Sequence, residues 1–183
     1  MGRRFSSFVL KTLGWTAEGS VAEEDNCVIL AAPHTSIWDF AIGYFYYRSI
    51  GGRLTVMIKK EAFFFPVKYL LRAMGGFPMD RSHPQATIMN LVEKMKGDGV
   101  CHLVICPEGT RKPVHKWKTG YHTIARAASV PVYISYFDYK TKHVGLGPKV
   151  ELTDDARADT DRIQQMYEDM HLTGLHPEGY VTK

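Results

Sequence analysis

Residues 26–52 read NCVILAAPHTSIWDFAIGYFYYRSIGG, and the fold class follows from how this stretch changes character. It opens with Asn26–Ala32, a short apolar run closed by Pro33. A run of that length, apolar at nearly every position and stopped by a proline, predicts a strand buried on both faces. From Ile37 to Ile50 the chain is apolar and aromatic, and Gly51-Gly52 ends it. That pattern predicts a helix with a glycine stop. Strand, tight turn and helix in succession are the repeating unit of an α/β sheet.

The same alternation continues outward. Arg53–Ile58 predicts a second strand, and Phe63–Met74, interrupted by Pro66, predicts a turn and a short helix. Gly75-Gly76 closes that helix and a short strand follows. Pro84–Lys96 is helix-like and is broken by Gly97-Asp98-Gly99. Val100–Cys106 predicts a buried strand, Lys118–Ser129 a helix, Val130–Tyr139 a strand, and Lys142–Glu151 one more. The polar segment 153–183 contains a helix over Arg157–Met170 and then a loose end with Gly and Pro. The expectation is one α/β domain over residues 1–183, with a mixed, mostly parallel sheet flanked by helices. Parallel sheets gather ligands in the loops at the carboxyl ends of their strands. Pro33–Ser36 and Pro107–Arg111 each directly follow an expected strand, so the two loops are expected to meet at one sheet edge.

Composition narrows the function classes. The 183 residues suit one domain, and 45% hydrophobic residues is enough to build a core. The net charge of +4 suits an anionic partner without choosing among phosphate, nucleic acid and an acidic membrane face. No basic stripe or recognised motif supports nucleic acid. Cys27, Cys101 and Cys106 are odd in number and form no CxxC, so neither a disulfide framework nor a zinc site is expected. A reducing, cytoplasmic setting is the simple reading. The eight histidines are dispersed without ligand spacing, and no metal is expected. No apolar run reaches the roughly 20 residues of a membrane span. A secretory signal is not expected either, because Phe8-Val9-Leu10 is short and Lys11 ends it. Residues 1–25 begin with a basic amphipathic stretch over 1–15, which reads as a helix lying on a membrane surface or as one packed on the core. The Phe63–Phe65 cluster carries the same two readings.

Two constellations carry candidate chemistry. The first is His34, in the turn between strand and helix, with Asp39 five positions on in the first helical turn. A tight turn brings the carboxylate to one imidazole nitrogen, fixing the tautomer and leaving the other nitrogen as a base. The same residues also read as helix capping, since Ser36 and Asp39 have near capping-box spacing. The spacing alone does not choose. The second constellation is Pro107-Glu108-Gly109-Thr110-Arg111. Gly109 frees the backbone, Arg111 offers a planar fork for phosphate oxygens, and Glu108 is placed to orient that Arg or to accept a bond from a substrate hydroxyl. A plain turn with a local Glu–Arg pair has the same sequence. Gly76 to Arg81, Lys59-Lys60-Glu61 and Lys118 ahead of a helix are weaker signals of the same anionic kind.

Taken in order, these segments resemble the glycerophosphate and lysophosphatidic acid acyltransferase family. Its His, four residues, Asp block is matched by His34 and Asp39, its Gly-to-Arg block by Gly76 to Arg81, and its Pro-Glu-Gly-Thr-Arg block by Pro107 to Arg111. Its Val-Pro before an apolar strand is matched by Val130-Pro131-Val132, and its Lys-x-Glu favours Lys59 over Lys60. The resemblance spans about residues 26–140. Departures are Pro33 before the histidine, Cys106 before Pro107, and Lys112 after Arg111. The resemblance implies transfer of a fatty acyl group from acyl-CoA or acyl carrier protein to a glycerol-phosphate lipid, foremost 1-acylglycerol 3-phosphate. His34 would be the base and Asp39 its partner. Lys59, Arg81 and Arg111 would bind phosphate, while Glu108, Gly109 and Thr110 would shape the acceptor pocket. No cofactor is implied beyond the acyl carrier. Acyl chains come from a bilayer, so peripheral attachment to the inner membrane face is expected. The rivals are a hydrolase using Cys106 or Ser36 and a non-catalytic lipid-binding protein. A free Cys ending a buried strand is usually inert, and Ser36 lacks the G-x-S-x-G elbow.

Overall fold

The computed structural model describes residues 2–80 and 82–180. In chain order the elements are α1 (Arg3–Thr12), β1 (Thr16–Glu18), β2 (Asn26–Ala32), α2 (Trp38–Ser49), β3 (Leu54–Lys59), α3 (Val67–Ala73) and β4 (Gly76–Met79). There follow α4 (Pro84–Lys96), β5 (Cys101–Ile105), α5 (Gly120–Ala128), β6 (Val132–Asp138), β7 (His143–Val150) and α6 (Ala156–Asp169). The strands form one seven-stranded sheet in the order β1-β7-β6-β2-β5-β3-β4. Every neighbouring pair is parallel except β6 and β7, which are antiparallel. The mixed, mostly parallel sheet expected from the sequence is the sheet that forms.

The central position of β2 explains its composition. Cys27, Ile29 and Ala31 face one side and pack with α1 and α2 through Leu10, Ile42, Tyr46 and Tyr47. Val28, Leu30 and Ala32 face the other, against α4, α5 and α6 through Leu91, Tyr121, Ile163 and Tyr167. A strand covered on both faces has no solvent side, so both parities must be apolar. The Tyr167 hydroxyl lies between the carbonyls of Leu30 (2.7 Å) and Ser135 (2.9 Å) and accepts from the Ser135 N–H (3.1 Å). It ties α6 to β2 and β6 and leaves no buried polar group wasted there.

Strand β1 has no counterpart in the sequence reading. Its three residues, Thr-Ala-Glu, carry no apolar pattern and join the sheet only by pairing with β7. At the other edge, Gly75 has φ +87°, and a Cβ there would stand 1.9 Å from the Leu54 carbonyl oxygen. Only glycine lets α3 turn into β4 so close to β3.

Helix α1 packs on α2 through buried Ser6 and Leu10, and the Arg3 Nε donates to the Ser49 carbonyl at the C-terminus of α2 (2.9 Å). Phe5, Phe8 and Leu13 point outward, as do Phe64 and Phe65 in the loop ahead of α3. One stripe of α1 therefore belongs to the core and another is exposed. No helix among the described residues is long and apolar enough to cross a membrane.

Candidate active site

Strands β2 and β5 pair in parallel with Leu30 opposite Ile105, so the loops that follow them leave the sheet at the same end. This brings His34 and Glu108 together. Both Glu108 oxygens accept the His34 backbone N–H, at 2.9 and 3.0 Å.

His34 Nδ1 lies 3.1 Å from Asp39 Oδ2. A carboxylate only accepts, so the imidazole proton sits on Nδ1 and Nε2 carries the lone pair. Nε2 has no partner among the described residues, and the side chain is 24% exposed. Asp39 is buried, with 2% exposure. Its Oδ2 also accepts the N–H groups of Thr35 and Ser36, each at 2.8 Å, and its Oδ1 accepts the Tyr139 hydroxyl at 2.6 Å. Of the two readings left open by spacing alone, the histidine pairing is made; the same carboxylate holds the turn ahead of α2, whose N-cap, Ile37, carries no side-chain cap. The Ser36 hydroxyl accepts the Trp38 N–H (3.2 Å) and serves the turn.

The Glu108 carboxyl is 4% exposed. Burial pushes its pKa up to about 8, the His34 N–H pulls it down, and the charge of Asp39 adds to the rise. Among the described residues its bonds go to His34, not to Arg111, so it braces the main chain of the histidine. Arg111 is exposed on the same loop, and the Thr110 hydroxyl accepts the Lys112 N–H (3.2 Å). Gly109 has φ +68°, and a Cβ there would stand 2.7 Å from the Lys118 side chain, so the lysine stem lies directly across this loop. Lys59 is exposed at the end of β3 with no ion pair among the described residues, whereas Lys60 pairs with Asp80 at 3.2 Å. Arg81 lies outside the described residues. The Cys106 thiol is pushed well above its ordinary pKa by burial, then by the charges of Glu108 and Asp39, which withholds the thiolate that a cysteine hydrolase needs.

Two contributors to the site had no usable sequence signal. Tyr139 reaches Asp39 from a point 100 residues away. The segment after α6, read as a loose end, is tied to the site loop. The His176 N–H donates to Thr35 Oγ1 (3.3 Å), Thr173 accepts the Tyr139 N–H (2.8 Å), and Gly174 and Gly179 pack against Thr35. These contacts join polar residues across long separations, where neither periodicity nor motif spacing operates.

The sequence profile described as Acyltransferase matches residues 16–136, which contain both loops and the strands β1 to β6 that carry them, up to Tyr136. No curated protein matches. The structure is similar to the crystal structure of the 1-acyl-sn-glycerophosphate (LPA) acyltransferase, PlsC, from Thermotoga maritima. The TM-score is 0.66 at 18% identity, covering 92% of this chain and 76% of that one. At that identity the likeness speaks for the fold. The profile, matching well over half of the chain, speaks for descent: the chain belongs to the acyltransferase family.

Proposed function

We propose that this acyltransferase moves a fatty acyl group from acyl-CoA or acyl carrier protein to the free hydroxyl of a glycerol-phosphate lipid, foremost 1-acylglycerol 3-phosphate. The observation that carries the reading is His34, with Nδ1 bound to a buried carboxylate and Nε2 open. His34 Nε2 takes the proton of the acceptor hydroxyl as that oxygen attacks the thioester carbonyl. The tetrahedral intermediate collapses, the C–S bond breaks, and the proton passes from His34 to the leaving thiolate. Asp39 stabilises the imidazolium between the two transfers. A thiolate leaves readily, so the route needs no acyl-enzyme. Arg111, with Arg81 and Lys59, binds the acceptor phosphate, and Gly109 and Thr110 border the acceptor pocket while Glu108 braces His34.

The test is thiol release from a long-chain acyl-CoA with and without 1-acylglycerol 3-phosphate. Release should depend on the acceptor and fall by about 10²–10⁴ in His34→Ala. Release without acceptor would favour hydrolysis, and acceptor-dependent release that survives His34→Ala would remove the base assignment.

The reading includes peripheral attachment to the inner face of a membrane. Ile37 and Trp38, between His34 and Asp39, are 69% and 61% exposed, and Phe8, Phe64 and Phe65 are exposed with them. Arg3, Arg4 and Lys11 on α1 supply the charge for anionic headgroups. Of the three tryptophans, Trp15 and Trp117 are buried, so Trp38 is a built-in probe. Its fluorescence should shift to the blue on vesicles containing phosphatidylglycerol, and the shift should vanish in Trp38→Phe. An unchanged spectrum would count against this docking face.

A further inference from the structure

Asp39 has two carboxylate oxygens, and they are held in different ways. Oδ2 faces three groups of its own turn: the N–H groups of Thr35 and Ser36, and His34 Nδ1. Oδ1 has one partner among the described residues, the Tyr139 hydroxyl at 2.6 Å, supplied by the residue directly after β6. A carboxylate turns easily about its last torsion, whose rotamers are broad. Fixing one oxygen from outside the turn fixes which oxygen, and which lone pair, faces the imidazole.

Tyr139 is itself held from several sides. Its ring meets Trp15 edge-on at 4.9 Å and 88°, and Lys142 Nζ lies over both rings, 5.2 Å from Trp15 and 5.6 Å from Tyr139. Its backbone N–H donates to the Thr173 carbonyl at 2.8 Å. Burial, then the bond to Asp39 and the charge of Asp39, push the phenol well above its usual pKa, so it remains a donor across the working range. A neutral, anchored donor on the second oxygen of a buried carboxylate is what a fixed histidine tautomer requires.

We infer that Tyr139 is a positioning residue for the His34–Asp39 pair: its hydroxyl locks the Asp39 carboxylate so that Oδ2 keeps the proton on His34 Nδ1 and Nε2 stays free as the base. Tyr139 touches no reacting atom. It acts through Asp39, and its removal lowers the fraction of enzyme with the productive tautomer without altering the substrate-binding groups. The inference rests on His34 being the base.

The test is Tyr139→Phe, which keeps the ring on Trp15 and removes one oxygen. Thermal unfolding by circular dichroism confirms that the variant is folded. Two readouts follow. In the thioester assay, kcat should fall in proportion to the rings that leave the productive tautomer, about two- to tenfold, while the KM values for acyl-CoA and acceptor stay at wild type. In long-range ¹H–¹⁵N spectra of histidine-labelled protein, the His34 ring should pass from one neutral tautomer to a mixture of two. A single unchanged tautomer together with wild-type kcat overturns the inference, as does a loss that appears in KM alone. His34→Ala run in parallel separates the two claims. If it is inactive while Tyr139→Phe behaves as wild type, only the role of Tyr139 falls. If His34→Ala remains active, the base assignment falls, and the spectra still decide whether Tyr139 governs the ring.

Discussion

Two histidine–aspartate pairs in this chain have nearly the same separation. His34 Nδ1 lies 3.1 Å from Asp39, and His122 Nε2 lies 3.3 Å from Asp159. They differ in which ring nitrogen is spent. At His34 the nitrogen nearer the backbone is bound, and the tip of the ring is left open. At His122 the tip is turned inward, 3.0 Å from the Thr153 carbonyl and 3.3 Å from Asp159, so it must be the donor to both. The His122 side chain is 7% exposed, against 24% for His34. Asp159 also accepts the Thr153 N–H (2.6 Å) and Arg162 (3.0 Å), and thereby fastens α5 to the turn between β7 and α6. Distance between the partners does not distinguish a base from a structural clasp. The free nitrogen, and the sheet edge at which it emerges, do.

The sharpest way to break this contrast is to replace each aspartate by asparagine. Asp39→Asn should lower kcat by about 10²–10⁴, because the neutral amide no longer stabilises the imidazolium that forms when Nε2 takes the proton of the acceptor hydroxyl. Asp159→Asn should leave kcat within about twofold and cost on the order of 1–3 kcal/mol of stability, the scale of buried hydrogen bonds to a charged group. The measurements are thioester turnover and urea unfolding on both variants. Exchanged outcomes, with rate lost at Asp159 and only stability at Asp39, would reverse the assignment of the two pairs.

The legibility of the sequence divides along a similar line. Strand β2 and helix α4 fall where the apolar run and the proline and glycine punctuation put them, because local pattern and tertiary environment agree there. The meeting of the His34 and Glu108 loops was legible from parallel-sheet logic, although 74 residues separate the bonded pair. The strand order was not. Nothing local tells β5 to insert between β2 and β3. Helix α6 illustrates another limit: its buried face includes Asp159, Thr160, Gln164 and Glu168 beside Ile163 and Tyr167, so its polar sequence gives a helix but no sign that the helix packs in the core. Glu108 shows the limit at the site. The motif marked the residue, but its orientation toward the His34 main chain depends on packing, which a motif does not encode.

The main chains of the two histidines are also held differently, and this allows a finer test. The His122 N–H donates to the Thr119 carbonyl (2.9 Å), a group that does not titrate. The His34 N–H donates to Glu108, whose buried carboxyl is raised from 4.5 to about 8. In the unfolded chain Glu108 loses its proton near pH 4.5, whereas the folded protein retains it until about pH 8. Across that window the folded state binds the extra proton, so rising pH favours unfolding. The contribution is fully present below pH 4.5, declines from there to about pH 8, and is flat above. Glu108→Gln keeps a carbonyl oxygen for the His34 N–H and removes the titration. The difference in unfolding free energy between wild type and variant should therefore drift against wild type as pH rises through this window, and then level. Subtracting the variant cancels the other titrating groups. Parallel curves would mean that Glu108 is ionised in the folded protein at neutral pH, and that His34 is braced by a charge rather than by a neutral acid.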